Sequence, residues 1–306
     1  MNLVYKNKKL VIKFNLENNG GINMKKKSIL SVLLAGVLAI GLIGCGASNA
    51  GNGAGDANKT AESSEDKVIK IGVSPEPHKA IVDVAVPLLE KEGYKVEVTE
   101  FNDYVQPNTA LAEGSLDANY FQHLPYLNEQ NQSKGLNLVS VAQIHLEPMG
   151  LYSKKIKSLE EIADGATIAV PNDPSNEARA LKLLATKGLI KVADGELITP
   201  KDITENPKNL KFSELEAASV PRALDDVDAA VINGNYAIPA GFTPSKDAII
   251  IEDKDSEAAK PYGNIIAVRK GDEETDKTKA LVKALTSPEV KKFIEEKYDG
   301  AVIPVF

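Results

Sequence analysis

Two stretches of this chain share one layout, an apolar strand that passes through a proline-marked turn into a helix, and that repetition limits the folds open to it. Val68-Ile69-Lys70-Ile71-Gly72-Val73 leads through Ser74-Pro75-Glu76-Pro77 into a helix predicted over His78 to Glu92. Ala166-Thr167-Ile168-Ala169-Val170 leads through Asp173-Pro174, an N-cap with proline at the first helical position, into a helix predicted to reach Lys187. Each unit has a second matching piece, Leu116 to Phe121 in one and Val227 to Asn233 in the other, where an aspartate precedes a strand of small residues that ends in polar or aromatic groups. Strands feeding helices make sheets covered on both faces, and ligands bind outside the carboxyl ends of such strands. Two similar lobes with four strand ends facing a cleft are therefore predicted.

Arg179 stands out because the sequence places it near the start of the second helix, expected in its first turn. A guanidinium there can hold a carboxylate by two hydrogen bonds beside free backbone N–H groups and the positive end of the helix dipole. A cleft arginine supports little core, so Arg179→Ala is expected to leave the fold nearly intact.

The rest of the body alternates helix and strand. Lys95 to Phe101 and Leu116 to Phe121 read as strands, and Asn108 to Glu113 and Leu124 to Lys134 as helices. Leu136 to Ser153 is a long extended run through Pro148-Met149-Gly150, suited to crossing between lobes. Ala248 to Arg269 returns as strands, and helices over Glu274 to Thr286 and Pro288 to Tyr298 are expected to pack on the first lobe. The boundaries read as lobe 1 over 67–150, lobe 2 over 151–243 and a return through the hinge over 244–306.

Lys25-Lys26-Lys27 followed by the apolar run to Gly44 has the form of a secretory signal and is short for a permanent membrane span. Leu42-Ile43-Gly44-Cys45 fits a bacterial lipobox, in which the cysteine is lipidated and becomes the new N-terminus. Cys45 is the one cysteine of the sequence, so the mature chain would have no thiol for disulfides or metal binding. Residues 24–44 are thus read as signal peptide and 45–66, rich in Gly, Ala, Ser and Asn, as lipidated terminus and flexible tether. Residues 1–23 do not belong to such a signal and are read as an upstream extension that is not translated, with Met24 as the start.

The formal charge is −7, and seven lysines with one glutamate up to Gly44 leave −13 for the remainder. So acidic a surface argues against nucleic acid as a partner, because phosphate binding needs lysine and arginine density. No G-x-S-x-G element, glycine-rich phosphate loop or H-E-x-x-H is present, and an enzyme is not expected. A zinc site using His123, His145 and Glu147 is the alternative from another class.

Several segments together resemble a known family: Asn119 to Leu127, Glu147 to Ser153, Ile168 to Leu181, Glu214 to Ala217, Val220 to Asp226 and Ala230 to Ala237. They are similar to the methionine-binding lipoproteins of the MetQ/NlpA family, the substrate-binding component of a methionine ABC importer. The resemblance implies an α/β, two-lobed periplasmic-binding-protein fold (type II-like) with hinge strands between lobes. It further implies a monomer, lipid-anchored to the extracytoplasmic face of the cell membrane, that passes L-methionine or a close derivative to permease and ATPase subunits, with no cofactor. A short methionine-containing peptide is a second ligand class. Carried onto this sequence, Arg179 would hold the carboxylate, with Asn176 fixing the polar end and Asn233 and Asn264 meeting the ammonium and remaining carboxylate positions. Tyr104, Phe121, His123, Tyr126 and Met149 would form the side-chain pocket, where sulfur against ring edges is favourable.

Overall fold

The computed structural model describes residues 67–306, so the signal, the lipobox cysteine Cys45 and the tether lie outside the described residues. The first half runs β1 (Val68–Val73), α1 (Ala80–Lys91), β2 (Lys95–Glu100), α2 (Gln106–Ala112), β3 (Ala118–His123), α3 (Leu124–Lys134) and β4 (Leu138–Leu146). Then follow β5 (Gly150–Tyr152), β6 (Thr167–Pro171), α4 (Pro174–Thr186), β7 (Lys191–Val192), β8 (Ile203–Glu205), β9 (Lys211–Leu215) and β10 (Ala229–Ile232). The last part holds α5 (Gly234–Ala237), α6 (Pro244–Asp247), β11 (Ile250–Ile251), β12 (Asn264–Arg269), α7 (Asp276–Leu285), α8 (Pro288–Tyr298) and β13 (Ile303–Pro304).

Two main sheets result, one per lobe. The first has the order β13-β4-β12-β3-β1-β2 and the second β11-β5-β10-β6-β9. In the first lobe β1 lies parallel to β2 and β3, and in the second β6 lies parallel to β9 and β10. The two predicted units thus occupy equivalent places. The aspartates that precede β3 and β10 do the same work in both lobes. Asp117 accepts from the Lys70 amide through Oδ2 at 2.8 Å, and Asp228 accepts from the Thr167 amide through Oδ2 at 2.8 Å. Each carboxylate meets the neighbouring strand just before its own strand begins to pair with it, Asp117 next to the pair of Ile71 with Ala118 and Asp228 next to the pair of Ile168 with Ala229.

Helices α1, α7 and α8 cover the first sheet. Ile81, Val82, Ala85 and Leu89 of α1 meet Leu281 and Leu285 of α7 and Val290 and Ile294 of α8 over Ile69, Ile71 and Val73 of β1. The second core joins Leu181, Leu183 and Leu184 of α4 to Ile168 and Val170 of β6. At about 25 cal/mol per Å² of apolar surface removed from water, such clusters are the main stabilising term.

The chain crosses between sheets at Glu147-Pro148-Met149, joining β4 to β5, and returns between β11 and β12. β11 pairs with β5 and so still belongs to the second sheet, which puts the return after Ile251 and not at residue 244. Among the described residues no helix is long and apolar enough to cross a membrane.

Candidate functional site

The carboxyl ends of β3 and β10 and the start of α4 converge on a small cavity, placed where ligands bind in sheets of this kind. Its lining includes Tyr104, Phe121, His123, Tyr126, Asn176, Arg179, Asn233 and Asn264, together with Gln122, Glu147, Gly234 and Asn235. Every site residue expected from the sequence lies here except Met149. That side chain, on the residue just before β5, is fully buried in the apolar core of the second lobe with Leu151 and Ile168.

Helix α4 begins as predicted, with Asp173 as N-cap accepting from the Asn176 amide at 3.0 Å. Arg179, however, falls in the second turn, since Pro174 is the first helical residue. The terminal amides are therefore not beside it. The guanidinium is 5 % exposed and already engaged along one edge. Its Nε donates to Glu252 Oε1 at 3.0 Å and its Nη2 donates to Glu252 Oε2 at 2.5 Å and to the Glu147 carbonyl at 3.0 Å. The Tyr262 ring lies 4.2 Å from its central carbon. Glu252 and Tyr262 are absent from the sequence reading, for they come from the return segment, Glu252 lying 73 residues away and Tyr262 further still, and nothing in their local pattern marks them. Burial alone would lower the Arg179 pKa, but Glu252 outweighs it and the group is raised, so it is always charged.

Asn176 is the junction of the site. Its Oδ1 accepts from Asn233 Nδ2 at 2.7 Å and from His123 Nε2 at 3.1 Å, and its Nδ2 donates to Asp173. His123 ends β3 and caps α3 by accepting from the Tyr126 amide at its Nδ1, 3.2 Å. Since Nδ1 accepts, Nε2 carries the hydrogen, and this neutral tautomer joins the two lobes. Burial, with the Arg179 charge adding to it, lowers the His123 pKa to about 3.

Three rings form one wall. The Tyr104, Phe121 and Tyr126 centroids lie 5.7 to 5.9 Å apart. Tyr104 also donates from its hydroxyl to Asn235 Oδ1 across the cleft at 2.5 Å, and Tyr236 donates to the Asn102 carbonyl at 3.2 Å.

Two buried acceptors of the lining, Glu147 Oε2 and Asn233 Oδ1, have no well-formed hydrogen bond, although the Asn235 backbone amide is near enough to Glu147 to favour its charged form. An orphaned buried acceptor costs about 1–3 kcal/mol, more when charged, so two at one cavity point to a donor brought from outside. The other carboxylate oxygen, Oε1, accepts from His145 Nε2 at 2.8 Å and faces Asn264 Nδ2 at 3.5 Å. Burial raises the Glu147 pKa from 4.5 to about 7, a rise held back by His78, Arg179 and the Asn235 backbone amide and increased by Glu76.

Among the described residues His78, His145 and Glu147 have ligand atoms within 4.8 Å of one another. His123 is not among them, which removes it from the zinc set expected from the sequence. Three of the four histidine nitrogens in this group are committed to hydrogen bonds, His78 Nε2 to Asn264 Oδ1 at 3.0 Å, His145 Nε2 to Glu147 and His145 Nδ1 to the Tyr120 hydroxyl, while His78 Nδ1 has no partner among the described residues. Predicted only to sit at a helix start, His78 is fully buried.

The NlpA lipoprotein family profile matches residues 69–306. The chain belongs to the NlpA lipoprotein family. Among curated NlpA relatives, the D-methionine-binding lipoprotein MetQ of Salmonella typhi is 47% identical over 240 residues, 77% of this chain and 87% of the relative. The methionine-binding lipoprotein MetQ of Bacillus subtilis is 42% identical over 291 residues, 92% of this chain and 99% of the relative. A nutrient-binding protein from Burkholderia cenocepacia, solved bound to methionine, superposes with a TM-score of 0.75 at 51% identity. It covers 78% of this chain and 100% of that one. The NlpA chain described here therefore has the two-lobed fold of periplasmic substrate-binding proteins.

Proposed function

We propose that the protein is the substrate-binding lipoprotein of an ABC importer and captures methionine in the cleft between its lobes. The observation that carries this is the pairing, on one cavity, of a guanidinium with two orphaned acceptors beside a three-ring wall. A zwitterionic amino acid supplies the missing complements. Its ammonium donates to Glu147 Oε2 and Asn233 Oδ1, while its carboxylate meets the guanidinium edge that Glu252 leaves open. The thioether lies against Tyr104, Phe121 and Tyr126, where each sulfur–ring contact adds about 0.3–1.5 kcal/mol. The names of the relatives and the methionine in the Burkholderia structure support the same ligand.

The protein works by binding, not by catalysis. Lipidation at Cys45 would anchor it to the outer face of the cell membrane, the tether giving it reach to a permease with its ATPase, and it acts as a monomer. Contacts from both lobes to one ligand favour the closed form, since a ligand shifts an equilibrium only by its differential affinity.

The test is calorimetric. The purified protein is unfolded and refolded to strip carried ligand, then titrated with L-methionine, D-methionine and glycyl-methionine. One-to-one binding of L- or D-methionine is expected, and strong heat with the dipeptide alone would move the reading to a peptide receptor. No heat with any of them, from folded protein, would reject it.

A further inference from the structure

We infer that Tyr120 and His145 are positioning residues for ligand capture, forming a buried relay that fixes the Glu147 carboxylate at the cavity although neither ring lines it. This rests on the reading of Glu147 as the ammonium acceptor. Glu147 sits on the crossing between β4 and β5, outside either strand. A glutamate has three rotatable bonds, and ordering it costs up to about 2 kcal/mol. Something must hold it if its free oxygen is to wait at one place.

The hydrogen bonds supply that hold, and their directions can be assigned. His145 Nε2 lies 2.8 Å from Glu147 Oε1, and a carboxylate only accepts, so Nε2 carries the hydrogen. The neutral ring then accepts at Nδ1, where the Tyr120 hydroxyl donates. Burial holds His145 neutral, with its pKa lowered to about 3. Tyr120 comes from β3 and His145 from β4, with β12 between them, so the relay spans three strands of the first sheet. Both rings are fully buried, and His78 packs edge-on against them at centroid distances of 4.8 and 4.9 Å. On the opposite side Gly234 gives the carboxylate its room, since a Cβ there would stand 2.6 Å from Oε2.

A network kept only for stability closes on itself, because every buried group left open is a loss. This one runs from the core and ends on an orphaned oxygen at the cavity. Polarisation along the chain also favours the charged form of Glu147, since a phenol donating to Nδ1 makes Nε2–H a stronger donor.

The experiment compares two ligands on the purified, ligand-stripped protein: L-methionine and 4-(methylthio)butanoate, which lacks the ammonium. Wild-type binding of methionine tests the proposed function by itself. Tyr120→Phe keeps the ring and removes only the donor, and it is expected to weaken methionine about tenfold while changing the ammonium-free acid less than about twofold. His145→Leu should repeat that pattern, and His145→Gln, which can still donate to Oε1, should restore part of the loss. A second readout needs no ligand: in carboxyl-¹³C-glutamate NMR, with Glu147→Gln for assignment, the Glu147 titration should move upward in Tyr120→Phe. Equal weakening of both ligands, or an unmoved Glu147 titration in folded Tyr120→Phe, would overturn the relay.

Discussion

Arg179 has a structural part besides the ligand contact proposed for it. The sequence reading expected Arg179→Ala to leave the fold nearly intact, but the guanidinium binds Glu252 through two of its nitrogens, bonds the Glu147 carbonyl and stacks on Tyr262. Removing one member of a buried ion pair strands the other, at about 3–5 kcal/mol. Arg179→Ala is therefore expected to lower urea stability by that order as well as abolish methionine binding; an unchanged unfolding midpoint would contradict the pairing. Gly234→Ala should act oppositely in kind, losing affinity at little cost in stability, because its Cβ would displace the Glu147 carboxylate. Circular dichroism melting beside calorimetry separates the two cases. Acid sensitivity also belongs to single residues. Burial lowers His78 to about 4 and His123 and His145 to about 3, so the unfolded chain takes up these protons first. Their contribution favours folding above pH 6.5 and is lost as pH falls toward 4 and 3. Glu147 opposes them, since its raised pKa favours folding below pH 4.5 and that stabilisation is lost as pH rises through 7. Burial also raises Glu177 to about 7, so it acts in the same sense as Glu147, but three histidines outweigh two carboxylates and the urea midpoint at pH 4.5 should lie below that at pH 7. Methionine affinity should fall as pH drops through 7, because a protonated Glu147 no longer offers a charge to the ammonium.

At the scale of elements, the site depends on how strands end and helices begin. β3 ends on His123, which caps α3 and reaches Asn176, while β10 ends on Asn233, which donates to that same Asn176. One asparagine in the first turn of α4 thereby ties together a strand end from each lobe. Asn176→Ala should break that tie, reduce affinity, and enlarge the radius of gyration of the ligand-free protein in small-angle scattering; an unaltered radius and affinity would show the tie to be idle. The repeated aspartates offer a matched pair. Asp117→Ala and Asp228→Ala each remove a carboxylate that receives a strand-edge amide, and each should cost about 1 kcal/mol, read as similar losses in chemical denaturation.

For the whole molecule, closure is the quantity at stake. Tyr104 to Asn235, Tyr236 to Asn102 and His123 to Asn176 join the lobes across the cleft, and the proposed ligand would add contacts to both sides. Binding to the folded form alone stabilises it by about 2.7 kcal/mol at a hundredfold excess over Kd, so the melting temperature should rise with methionine concentration. Tyr104→Phe removes one closing bond and should reduce that shift without abolishing it.

Local pattern in the sequence carried the repeated strand-to-helix units, the Asp173 cap, and the polar and aromatic strand ends, because strand and helix periods, proline positions and N-caps are properties of neighbouring residues. Arg179 stood out for that reason, on the helix that follows a strand and its cap, whereas Asn176, Asn233 and Phe121 were named through the family resemblance. Chain folding alone decided which distant groups meet them. Glu252 and Tyr262 reach Arg179 only when the return segment crosses back, and Tyr120, His145 and His78 gather behind Glu147 only when β3, β12 and β4 lie side by side. Met149 shows the same limit, since a thioether next to a cleft residue looks like a pocket wall until the chain entering β5 carries it into the core. Side-chain direction on a short strand depends on its partner's register, and that is set by chain more than 75 residues away in β10.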